Sequence, residues 1–137
     1  MSAVLDALKL PQGRLRTFLL LALSAFFVGA GANHFRDPDF YRVMMPPYLP
    51  AHGLLIAASG VLEILGGIAV LVPRVRRWAG LGLAGLLVAV LPANVHLALN
   101  PELFPQLPAF ALVARLPLQL VLIAWAVWAT SEEPTGD

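Results

Sequence analysis

The chain contains no cysteine. Disulfides, thiolate metal sites and haem attached through Cys are therefore excluded. Charge is also scarce. Only 12% of the 137 residues are Asp, Glu, Lys or Arg, against about a quarter in an ordinary soluble domain. The formal net charge is +1 and no basic cluster exceeds three residues, so no nucleic-acid partner is expected. No phosphate loop is present, because the glycines lie inside apolar runs and lack a following Lys-Ser or Lys-Thr. Ser24 and Ser59 are the serines inside the apolar runs, and neither has an evident base and oxyanion donor set. His34, His52 and His96 match no compact ligand motif, so no metal site is expected.

Apolar residues are what the chain has in excess, at 59%, with a mean hydropathy of +0.80. A membrane-spanning helix needs about 20 mostly apolar residues. Four segments meet that length, at about 15–34, 52–72, 78–99 and 109–130. A soluble bundle would show polar stripes at helical spacing, and here the polar positions are isolated. The fold expected is all-α: a single membrane domain, a four-helix transmembrane bundle with short tails at 1–13 and 131–137. The first apolar run follows Lys9, Arg14 and Arg16 as a signal peptide would. It continues for about twenty residues to Asn-His-Phe instead of a small-residue cleavage site, and so reads as a retained span.

Basic residues in short flanks set orientation. Lys9, Arg14, Arg16, Arg74, Arg76 and Arg77 fall on one side, Arg36 and Arg42 on the other. The expectation is an integral protein of a bacterial-type cytoplasmic membrane with both termini cytoplasmic. Residues 1–12 read as a short surface helix through Val4, Leu5 and Leu8, and the acidic tail SEEPTGD as frayed.

The first connection, HFRDPDFYRVMMPPYLPAH, predicts a short interfacial helix. Asp37 suits the cap and Pro38 the first helical position, and Pro46-Pro47 stops it. Phe40, Tyr41, Met44 and Met45 then lie near the membrane surface, as an anchor or as a lid over a cavity. The third connection, NPELFPQLP, is proline-rich and reads as ordered without a regular helix.

The polar residues converge on one layer. Asn33 and His34 close the first span and His52 opens the second. Glu63 lies roughly 16 Å deeper, and Asn94 and His96 lie near the outer end of the third. Arg115 and Gln119 lie roughly 9 and 15 Å down the fourth. A lone charge at mid-membrane costs about 2.5–3.5 kcal/mol on insertion scales, so a Glu63–Arg115 contact is expected, with Asn33, Asn94 or Gln119 supplying further hydrogen bonds. Small-residue stripes run along Ala22, Ala25, Gly29 and Asn33, along Ser59, Glu63, Gly66, Gly67 and Val70, and along Gly85, Ala89, Pro92 and His96. Such stripes permit close helix approach, inside the bundle or between copies. Pro92 and Pro117 each remove one helical donor. Two readings fit them: simple kinks, or a break that turns both Asn94 and His96 inward. An outer-leaflet cavity lined by Glu63, Arg115, Asn94 and His96 suits an amphipathic ligand such as a quinone, whose carbonyls need donors. Structural glue for the bundle fits the same residues.

The runs GANHFRDPDFYRVMMPPYLPAH, SGVLEILGGIAVLVPRVRRWAG and LPANVHLALNPE resemble the DoxX family of small four-span membrane proteins. The likeness extends from about Leu15 to Trp128. It is carried by Asn-His-Phe, PPYLPxH, SGxxEIxGG and PANxH, and so by Asn33, His34, Pro47, His52, Glu63, Gly67, Pro92, Asn94 and His96. The resemblance implies a four-helix membrane bundle and, loosely, quinone-linked redox work, although the lack of cysteine argues against a thiol-based role. Distant animal relatives act as assembly chaperones. The function expected is an accessory or assembly subunit acting on another membrane protein. The alternative is a quinone-linked oxidoreductase subunit, with Asn33, His34, His52, Glu63, Asn94, His96, Arg115 and Gln119 as the polar core.

Overall fold

The computed structural model describes residues 2–133, which are mostly helical and include no strand. A short helix α1 (Ser2–Leu8) precedes α2 (Arg14–Arg36). Next come α3 (Pro38–Met44), α4 (His52–Ala69), α5 (Arg76–Ala89), α6 (Leu91–Leu99), a 3₁₀ turn at Pro101–Leu103, and α7 (Ala109–Thr130). The helices α2, α4, α5 with α6, and α7 hold 23, 18, 24 and 22 residues, each long and apolar enough to cross a membrane. Their lipid-side surface is rich in Leu, Val and Phe.

Local chemistry sets most boundaries. Asp37 caps α3 by accepting from Phe40 N at 3.4 Å, and Pro38 follows it in the first helical turn. Helix α4 stops earlier than expected, at Ala69, where the last turn tightens: Leu71 N donates to Ile68 O and Val72 N to Ala69 O. The third span starts earlier than expected, so Arg76 and Arg77 lie in its first turn instead of in the connection. It is broken at Val90, two residues before Pro92. Proline has no N–H to give and its ring crowds the preceding turn. By contrast, α7 runs through Pro117 as one helix.

The helices form two close pairs, α2 with α4 and α5 with α7, joined through α4–α5 and α2–α7 contacts. At one end the interior is filled by Leu20, Leu23, Phe27, Val70, Leu83, Leu87, Ala126 and Ala129. At the other, α3 and the third connection pack Met44, Leu97, Phe104 and Leu112 into a second cluster. Between the two lies a cavity.

Two of the three small-residue stripes differ from expectation. On α4, Glu63, Gly67 and Val70 are buried, as the stripe requires. On α2 the buried face is Leu20, Leu23, Ser24, Phe27, Gly31 and His34; Ala25 and Gly29 face outward. On α5 it is Gly80, Leu83, Ala84 and Leu87, leaving Gly85 and Ala89 exposed. Large side chains fill these two faces because α2 and α5 meet their neighbours through a packed core, with glycine needed only where backbones touch.

The described termini and the α4–α5 connection gather at one end. Arg16 Nη2 donates to Trp128 O at 2.9 Å, Ser131 O at 2.6 Å and Ser131 Oγ at 2.7 Å. Gln12 N donates to Glu133 at 3.2 Å. The acidic tail expected to fray is tied down at Ser131 and Glu133, and its residues 134–137 lie outside the described residues. Arg76 donates to Val70 O at 2.7 Å, Leu71 O at 3.3 Å, Leu8 O at 2.9 Å and Lys9 O at 3.1 Å. One guanidinium thus serves the carbonyls that two helix ends leave unpaired. Arg76→Leu is expected to lower stability by about 1–2 kcal/mol, read as a lower unfolding midpoint in detergent, with Arg76→Lys intermediate.

Candidate functional site: a polar cavity between the helix pairs

The cavity measures about 560 Å³, within the range of roughly 300–1,000 Å³ usual for small-molecule sites. Its wall is mostly apolar. Polar groups enter it from five elements: His34 on α2, Tyr41 on α3, Ser59 and Glu63 on α4, Asn94 on α6, and Arg115 and Gln119 on α7. Leu55, Leu62, Leu118 and Phe26 also line it while exposed on the outer surface of the bundle. The cavity therefore opens sideways, toward the zone that acyl chains occupy around a spanning bundle.

His34 is held on three sides. Nδ1 lies 3.0 Å from the carbonyl of Ile56. A carbonyl only accepts, so Nδ1 carries the hydrogen. The ring lies under Tyr41, with centroids 3.9 Å apart. Nε2 faces Glu63 Oε2 at 3.4 Å. Oε2 is fully buried and has no hydrogen bond of ordinary geometry. Two atoms that both carry lone pairs, buried face to face, need one proton between them. The pair is neutral overall whether that proton sits on nitrogen or on oxygen.

The expected Glu63–Arg115 contact is not formed. Among the described residues the ion pairs are His34–Glu63 and Asp39–Arg42. Arg115 lines the same cavity but donates from Nε to Asn94 Oδ1 at 3.3 Å. Asn94 Nδ2 in turn donates to Gln119 Oε1 at 2.7 Å. Gln119 Nε2 donates to the carbonyl of Leu87, in the turn before the break at Val90. The carboxylate turned to His34 because α2 is its close-packed neighbour, whereas α7 stands across the cavity. Arg115 keeps its two terminal nitrogens free of hydrogen bonds to the described protein.

Of the eight expected polar-core residues, His34, Glu63, Asn94, Arg115 and Gln119 line the cavity. Asn33 stands behind it and donates to Tyr41 Oη at 2.9 Å. His52 Nε2 donates to Pro46 O at 3.1 Å, which fixes the Pro-Pro turn. His96 lies outside as well. Its Nδ1 is 3.3 Å from Asn100 Nδ2, and that amide also donates to His96 O at 2.8 Å. The break near Pro92 thus turns Asn94 inward and leaves His96 out, since residues two apart on a helix diverge by about 200°. Among the described residues no cluster of three His, Asp or Glu is placed to hold a metal.

Tyr41 had two readings open in the sequence, an interfacial anchor or part of a lid over a cavity. With Met44, Met45 and Leu49 it forms part of the cavity wall, so the first connection serves as a lid. Burial pushes the Tyr41 phenol above its usual range, with the Asn33 hydrogen bond opposing. The hydroxyl therefore keeps its proton. It accepts from Asn33 and has its own O–H left to donate.

Residues 23–130 match the family described as Domain of unknown function (DUF8561). No curated protein and no solved structure matches the chain. The matched stretch contains every cavity residue named above and all but the start of the helical bundle, and the chain belongs to that family.

Proposed function

We propose that the protein binds a lipophilic molecule with a small oxygen-bearing ring, a quinone-type headgroup, in the cavity between its helix pairs. The carrying observation is the combination of a largely apolar 560 Å³ space, a side opening and a confined polar set. Arg115 and Tyr41 supply donors for ring oxygens, which is what carbonyls require. His34 and Glu63 supply further polar groups to the same space. The DoxX-like motifs agree with this reading, since Asn33, His34, Glu63 and Asn94 fall in or beside the cavity. In this assignment the protein sits in a bacterial-type cytoplasmic membrane. The six basic residues of the terminal end lie in the cytoplasm, and the cavity lies in the outer half.

The test is binding of a short-tailed benzoquinone to the full chain in lipid nanodiscs. Arg115→Leu is expected to weaken it at least about tenfold, the worth of one charge-assisted hydrogen bond. Unchanged affinity, or no binding by the native chain, rejects the proposal. A second reading is an accessory subunit that docks a partner's membrane helix, or a second copy of the chain. It is favoured by Gly82 and Gly85, which lie on the outer face of α5 with no atom near their missing side chains. Leucine at both positions is expected to abolish co-purification of such a partner and leave quinone binding intact.

A further inference from the structure

We infer that the cavity selects the reduced, hydroxyl-bearing form of its ring ligand over the oxidised form. The inference rests on the ligand class proposed above and assigns its hydrogen-bonding polarity. Arg115, on α7, and Tyr41, stacked on His34, offer donors and accept nothing further from the cavity, because Tyr41 Oη already accepts from Asn33. Glu63 stands on α4, beside the His34–Tyr41 stack. Its Oε2 is sealed against His34, so Oε1 is the carboxyl oxygen left to the cavity.

The protonation of Oε1 is fixed by its neighbours. His34 Nδ1–H is committed to Ile56 O, so the single shared proton lies between Nε2 and Oε2. With that proton on His34, Glu63 is a carboxylate and Oε1 accepts. With it on Oε2, Oε1 is the carbonyl oxygen of a carboxylic acid and still accepts. In both arrangements the cavity presents an acceptor at Glu63 and donors at Arg115 and Tyr41. A ligand that satisfies both must carry a donor at one end and an acceptor at the other. A hydroquinone does so through one hydroxyl hydrogen and the oxygen opposite. A quinone has only acceptors, so even where Tyr41 donates to the nearer carbonyl, Oε1 of Glu63 faces it without a hydrogen.

The experiment compares a short-tailed benzoquinone with its hydroquinone, by isothermal titration into nanodiscs holding the full chain. The hydroquinone is held reduced under anaerobic conditions; the chain has no cysteine for the reductant to alter. The native protein is expected to bind the hydroquinone about tenfold more tightly. Glu63→Leu, which removes the acceptor and adds no bulk to the span, is expected to make the two affinities equal. Glu63→Gln is expected to keep the preference, because its amide N–H takes the place of the shared proton toward His34 Nε2 and its carbonyl oxygen stays on the cavity. Equal affinities in the native chain, or a preference that survives Glu63→Leu, overturn the inference while the binding function stands. Binding of neither form overturns both. The native comparison needs no variant, so it decides the matter even if Glu63→Leu lowers stability.

Discussion

Gly31→Leu is expected to cost about 3 kcal/mol or more of stability and to abolish ligand binding. A side chain begun at Gly31 would sit 2.6 Å from the carbonyl oxygen of Gly60 and 2.8 Å from Ile64 Cγ1. One begun at Gly60 would sit 2.8 Å from His34 Cβ and 3.0 Å from Gly31 O. The obstruction is backbone on both sides, so no rotamer change relieves it. The helices must separate, and small residues at such crossings are what allow membrane helices to touch. Separation also pulls His34 away from Glu63, because those side chains leave the same crossing. The internal control is Gly29→Leu, two residues away and facing open space, expected to change stability by less than about 0.5 kcal/mol. Thermal unfolding in detergent for the three proteins checks the contrast. Equal effects at positions 29 and 31 would show that the crossing is misplaced.

Gln119→Leu is expected to cost about 2–3 kcal/mol, summed over two lost partners. Gln119 is 3% exposed and joins Asn94 to the carbonyl of Leu87. Leucine fills the volume but leaves both groups unpaired in a medium without water. Polar links between membrane helices average less than this when measured singly; the larger figure here follows from one side chain serving two buried partners. Asn94→Leu combined with Gln119→Leu should cost clearly less than the two single changes summed, because the second change then removes a group already orphaned. Strict additivity in the double-mutant cycle would mean that the Asn94–Gln119 bond contributes nothing.

The four apolar helices, the capped α3 and the gathering of five of the eight polar residues around one cavity were legible in the sequence. They follow from helix rise, lipid thickness and cap chemistry, which are local. Which polar group meets which was less so. Glu63 and Arg115 matched in depth and charge, yet depth ignores azimuth. Azimuth is set by Gly31 and Gly60, whose contact brings α2 against α4 and presents His34 to the carboxylate. For the stripes on α2 and α5, of the two readings left open, packing inside the bundle does not hold, for a related reason. Small residues on the outer surface look, in a sequence, the same as those that face a neighbouring helix. His96 was placed in the cavity through its depth and the break at Pro92, but it points away from Asn94 and bonds Asn100, four residues on. Tyr41 was legible as an anchor or as part of a lid; its stacking on His34 depends on how α3 folds back, which no local signal gives.

The pairing pattern bears on how the chain is made. His34 lies on the first long helix and Glu63 on the next, while Asn94 precedes Gln119 and Arg115 in the same way. Among the charged and amide side chains of the cavity, each match therefore joins consecutive spans. A ribosome that delivers the chain from its N-terminus delivers the imidazole before the carboxyl, so the acidic span meets its counterpart already in the bilayer. A nascent chain halted after residue 75 should therefore already hold its buried carboxyl matched to the imidazole of the span before it.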